Sequence, residues 1–144
     1  MRGVLAVTLT LAVAAALPAD ALAAYYRGST SQGRRVLINQ DSSKRLQDVR
    51  FGWKARCSDP GYIITSRTHG VPPFDRSDPG SWADYGSYSF RDASNRIRVA
   101  FRASGRLVGA TWSGHFTVFA TVRHNGRVVD RCRVRDVGWR VKTG

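Results

Sequence analysis

Four aspartates, Asp75, Asp78, Asp84 and Asp92, crowd in and beside one stretch, Thr68 to Gly86. Two carboxylates across a scissile bond are what glycoside hydrolysis needs, one as general acid with a raised pKa and one as base or nucleophile. All ten acidic residues of the chain are aspartate, and glutamate is absent. Aspartate also builds turns, because its short side chain hydrogen-bonds its own backbone. That is the simpler account of this group. The spacing matches neither an EF-hand nor a nonapeptide calcium repeat. Without glutamate, the Glu–His chemistry of small microbial ribonucleases has no base. His115 and His124 stand nine residues apart and form no ligand pair, and His69 borders the aspartate-rich stretch. Zinc, serine-nucleophile and redox signatures (His-Glu-x-x-His, Gly-x-Ser-x-Gly, Cys-x-x-Cys) do not occur. No catalytic set is complete, and the residues call for no metal and no cofactor.

Aromatic residues offer a different chemistry. Phe74, Trp82, Tyr85 and Tyr88 lie in or beside the same stretch. Trp and Tyr present a flat apolar face with a polar handle, suited to stacking on sugars or bases. With Pro72, Pro73, Pro79, Gly70 and Gly80 and no alternation, Thr68 to Gly86 reads as a long irregular loop, the usual place for recognition. A ligand site there would use Trp82 and Tyr85 for stacking and Asp78 and Asp84 as polar contacts. The competing expectation is a small buried cluster, the role expected of Phe74 and Phe90.

The elements that would position such a site are strands. Leu46 to Cys57 alternates, with Val49, Phe51, Trp53 and Ala55 on one parity and Arg50, Lys54 and Arg56 on the other. Arg96 to Arg102 repeats the pattern around Ile97, Val99 and Phe101. Ser104-Gly105 reads as a turn into a strand through Trp112, and His115 to Arg123 as a further strand. Asn125-Gly126 is a strong hairpin signal leading into Val128 to Val134. Apolar parity then shifts between Val134 and Val137, which predicts a bulge near Arg135-Asp136. Arg35 to Asn39 and Gly61 to Thr65 complete the strands, and the two Ser-Asp-Pro-Gly copies read as turns. The implied fold is all-β, an antiparallel β-sandwich of jelly-roll or immunoglobulin-like form. Cys57 and Cys132 are expected to bridge it, with Trp53 and Trp139 packed nearby.

Charge sets the class of partner. Lys and Arg number 23 against 10 acids, a net charge of +13, and only Lys44, Lys54 and Lys142 are lysine. Such a balance favours polyanions such as nucleic acid, acidic glycans or wall phosphates, although no nucleic-acid motif is present. The cations are spread along the chain, which also suits a merely soluble surface. If the two alternating strands share a sheet, Arg50, Lys54, Arg56, Arg96, Arg98 and Arg102 form one basic face.

The chain opens on Arg2, an apolar run from Val4 to Leu17, Pro18 and Ala21-Leu22-Ala23. This is the pattern of a secretory signal over residues 1–23, too short for a permanent membrane span. It leaves one domain, 24–144, exported as a monomer and either released or held at the wall.

Tyr26-Arg27-Gly28-Ser29-Thr30-Ser31-Gln32-Gly33, then Phe51-Gly52-Trp53-Lys54-Ala55-Arg56-Cys57, Gly114-His115-Phe116, and Cys132 before Trp139 follow one another in the chain. In this order they resemble an uncharacterised secreted β-domain that recurs in high-GC bacteria. The resemblance implies the fold and the disulfide, and carries no activity. The expected function is a secreted, non-catalytic binding module for glycan or polyanionic extracellular material. A small hydrolase using the loop aspartates and a structural protein without a ligand are the alternatives.

Overall fold

A computed structural model describes residues 23–59 and 61–144, so most of the expected export signal lies outside the described residues. Nine strands follow one another: β1 (Ala24–Thr30), β2 (Arg35–Gln40), β3 (Leu46–Cys57), β4 (Ile63–Gly70), β5 (Arg76–Asp78), β6 (Ser81–Asp92), β7 (Asn95–Val108), β8 (Thr111–His124) and β9 (Arg127–Thr143). The described residues contain no helix. The strands form one antiparallel sheet in the order β4-β3-β2-β1-β9-β8-β7-β6-β5.

β9 organises this sheet. One edge of it pairs with β8 from end to end. The other edge takes β1 over its C-terminal half and β3 at Arg133 and Cys132. The β1–β2 hairpin is therefore wedged between β3 and β9, which meet beyond its tip. There Cys57 and Cys132 are direct cross-strand partners and form the disulfide, with Cα atoms 3.8 Å apart. Asp130 secures the neighbouring connection by accepting hydrogen bonds from the backbone N–H groups of Ser58 (2.9 Å) and Asp59 (3.2 Å).

Alternation builds the core as expected. Val49, Phe51, Trp53 and Ala55 of β3 are buried together with Ile97 and Val99 of β7 and with Phe116, Val118, Ala120 and Val122 of β8. Phe51 touches Trp82, Phe116 and Trp139 at ring distances of 5.8, 5.3 and 5.4 Å. Elements far apart in the sheet order thus meet face to face. Polar links cross the same interior. Trp112 donates to Gln40 (2.7 Å), Trp53 donates to Thr68 (3.0 Å), and Thr68 shares a hydrogen bond with Tyr88 (3.1 Å).

Two turn readings are realised and one is corrected. Asn125 and Gly126 both have positive φ, 46° and 80°, as the tight β8–β9 hairpin demands. Ser104-Gly105 is not a turn. It lies inside β7, and the chain reverses at Gly109-Ala110. Gly105 is glycine for room: a Cβ there would come within 2.5 Å of the Trp139 indole. The loop over Thr68 to Gly86 is also corrected. Most of it is strand, comprising the end of β4, all of β5 and the start of β6. The second Ser-Asp-Pro-Gly copy is the tight turn joining β5 to β6.

Candidate functional site

The dissolved loop divides its four candidate residues: Asp84 and Tyr85 line one hollow with Asp75, and Trp82 and Asp78 stand apart from it. Trp82 is 2% exposed and packs between Phe51, Phe74 and Trp139, so its ring has no face for a ligand. Asp84 has the same inward parity, and its carboxylate lies by Gly70 and Phe74. Burial, then the charge of Asp75, pushes the Asp84 carboxyl above its ordinary range. Asp78 stays at the β5–β6 hairpin, held by Arg76 at 2.9 Å. Only Tyr85 points outward and is free, at 68% exposure. Asp75 caps the neighbouring strand edge by accepting from the Tyr85 N–H at 2.7 Å.

What the topology does assemble is the outer face of β6–β9. Strict cross-strand register places outward residues in rows. Tyr85, Arg102 and Thr117 form one row. The next runs Ser87, Ala100, Phe119 and Arg133. The one after it runs Ser89, Arg98, Thr121 and Arg131. Arg91, Arg96 and Arg123 follow at one end, and Arg106 with Arg140 at the other. Arginine dominates the outward positions of β7 and β9, while β6 and β8 contribute one each, Arg91 and Arg123. Asp136 lies on it, engaged by His115 at 2.9 Å, and Asp75 and Asp84 border it beside Tyr85.

Small residues between the arginines leave the floor low. A hollow of about 410 Å³ lies over Arg102, Ser104, His115 and Thr117, with Tyr85, Asp75 and Asp84 as its wall. It shares Tyr85, Arg102 and Thr117 with a second of about 700 Å³ that reaches Ala100, Phe119 and Arg135. A third of about 450 Å³ covers Ser87, Ser89, Arg96, Arg98 and Arg123. All three lie on this one face. Phe119 is 43% exposed, and the Arg133 guanidinium sits 5.5 Å from its ring centroid.

The basic face expected from sequence is therefore rebuilt. Arg96, Arg98 and Arg102 belong to it. Arg56 joins at its rim as the cross-strand partner of Arg133. Arg50 and Lys54 do not take part, since their neighbours are in β2 and β4. Arg50 is also paired with Asp48 at 2.9 Å. The arginines of β9, above all Arg131 and Arg133, were missed. Their outward parity was readable, but their partners were not.

His115 gains a partner that spacing alone does not show. The bulge at Arg135-Asp136, opposite Thr117, puts Asp136 at a φ of 50° and turns its carboxylate onto His115 Nδ1. Such a pairing orients an imidazole as a base requires. Among the described residues no hydroxyl hydrogen-bonds to His115, and no group of three or more His, Cys, Asp or Glu could hold a metal ion. No helix among them is long and apolar enough to cross a membrane. No protein-family model, curated protein or solved structure matches this chain.

Proposed function

We propose that this protein is an exported, non-catalytic module that binds polyanions on the outer face of β6–β9. One observation carries the reading: arginines from β7, β8 and β9 stand in register on one face, where they outnumber Asp136, already paired with His115, and the Asp75 and Asp84 that border it. Like charges are held side by side there against their mutual repulsion. Strand rows are about 6.6 to 6.8 Å apart along each strand and neighbouring strands about 4.8 Å apart. Such a field attracts an anionic polymer and releases its counterions on binding. The sheet is read as a sandwich closed over its core, supported by the Phe51–Trp82 and Thr68–Tyr88 contacts. Export is supported by the disulfide, a bond that persists in oxidising compartments. The sequence resemblance to a secreted bacterial β-domain agrees with both.

The test is retention on a sulfated matrix. Replacing Arg98, Arg131 and Arg133 with serine should move elution to much lower salt. Replacing Arg35, Arg45 and Arg67, exposed cations on β2, β4 and the connection before β3, should change it little. Equal losses from both triples would reduce the effect to net charge and end the case for a site. A second reading, hydrolysis, is favoured by the hollow that gathers Asp75, Asp84 and His115. Turnover of a polymeric substrate that is abolished by Asp84→Asn would establish it instead.

A further inference from the structure

We infer that the polymer this face takes is single-stranded nucleic acid, its bases stacking on Tyr85 and on the Phe119–Arg133 pair. The inference rests on the polyanion reading and narrows it. Charge alone suits any sulfated or phosphorylated chain. The aromatic residues do not. Tyr85 and Phe119 are large rings left open to solvent in the midst of arginine rows, at 68% and 43% exposure. Folding gains little from leaving them there. The core shows that this sheet buries rings where it has use for them, as with Phe51, Trp82 and Phe116.

Their placement fits an extended strand. Tyr85 stands in the row of Arg102 and Thr117, and Phe119 in the next row with Arg133. The two rings thus occupy successive rows, on β6 and β8, with the β7 arginines running between and beyond them. The two hollows that join there have floors of Ala100, Ser104 and Thr117, low enough for a chain to lie in. Arginine suits the backbone, because its planar fork meets phosphate through two hydrogen bonds. The Arg133 guanidinium already lies over the Phe119 ring at 5.5 Å, and both aromatic rings and guanidinium planes accept unstacked bases. A duplex keeps its base faces stacked inside and could use only the arginines. A sulfated glycan offers the rings only sugar C–H faces set among its sulfates, not an aromatic plane.

The experiment measures fluorescence anisotropy on the full domain with three probes at one ionic strength. They are a labelled fifteen-nucleotide oligothymidine, the same length as duplex, and a heparin-derived oligosaccharide. Single strand should bind at least about tenfold tighter than duplex. Tyr85→Leu and Phe119→Leu keep every charge and remove the ring. Each should weaken single-strand binding about fivefold or more, while leaving the oligosaccharide within twofold. Because Tyr85 is outward and exposed, its variant keeps the fold, and an unchanged melting temperature verifies that. Tight oligosaccharide binding with no preference for single strand, or Leu variants that bind oligothymidine normally, overturns the inference and leaves the polyanion reading standing. Failure of all three probes to bind overturns both.

Discussion

Replacing Trp82 with alanine separates a core role from a ligand role. The indole is 2% exposed and meets Phe74 edge-on at 5.6 Å, Phe51 at 5.8 Å and Trp139 at 6.5 Å. Removing it empties a large volume walled by three rings, which costs about 3 to 5 kcal/mol in comparable cores. No hydrogen bond is lost, because the indole N–H has no partner among the described residues. Trp82→Phe should therefore cost clearly less, since a ring remains and the unpartnered N–H goes. In a domain of about 120 residues each kcal/mol lowers Tm by roughly 3 to 6 °C, so the alanine variant should melt about 10 to 25 °C lower. Chemical denaturation with an unchanged m value would place the loss in the folded state. Folded Trp82→Ala should bind oligothymidine as the parent does. A near-parental Tm with impaired binding would refute the packing argument and return Trp82 to the ligand site.

Two further outcomes follow from the geometry. Opening the Cys57–Cys132 bridge by Cys57→Ala with Cys132→Ala should destabilise by about 4 to 5 kcal/mol on the chain-entropy model, given a separation of 75 residues. Denaturation of the double variant measures it, and a cost under about 1 kcal/mol would contradict it. Asp84 gives a pH signature. Its carboxyl is raised in the fold by burial and by Asp75, so the folded chain holds that proton more tightly than the unfolded one. Ionisation therefore costs stability, and the cost grows as pH rises through the folded pKa. Asp84→Asn should raise Tm at pH 7 and bring no gain at pH 3. A gain of equal size at both pH values would contradict it.

How much of this was legible in sequence depends on the strand. β3 was readable because Val49, Phe51, Trp53 and Ala55 alternate with Arg50, Gly52, Lys54 and Arg56, and only Leu46, across a register shift, is buried on the other parity. The bulge at Arg135-Asp136 was readable from parity, but its purpose was not. Seeing Asp136 reach His115 needs the β8–β9 register. β6 was invisible for a physical reason. Its inward positions read Trp82, Asp84, Gly86, Tyr88 and Phe90, and a carboxylate and a glycine break the apolar run. Gly86 stands there because a Cβ would press to 3.0 Å on the Phe101 ring, and Asp84 because this stretch of β6 is only half-buried. With β6 lost, the prolines around it made a loop seem obligatory. Tyr85 survived as a candidate by facing outward, and Trp82 failed by facing in. The basic face was legible strand by strand and not as a whole, since hydrogen-bonded order alone decides that β7 lies beside β8 and β9 rather than β3.

The salt dependence of oligothymidine binding tests the arginine face most directly. Each phosphate neutralised on a single strand contributes a slope of about −0.7 in log affinity against log salt. A face that engages four or more phosphates should give a slope of about −3 or steeper. Arg98→Ser with Arg131→Ser should flatten it by about 1.4, and Arg35→Ser with Arg67→Ser should leave it unchanged. A shallow parental slope, or the same flattening from both pairs, would contradict the account.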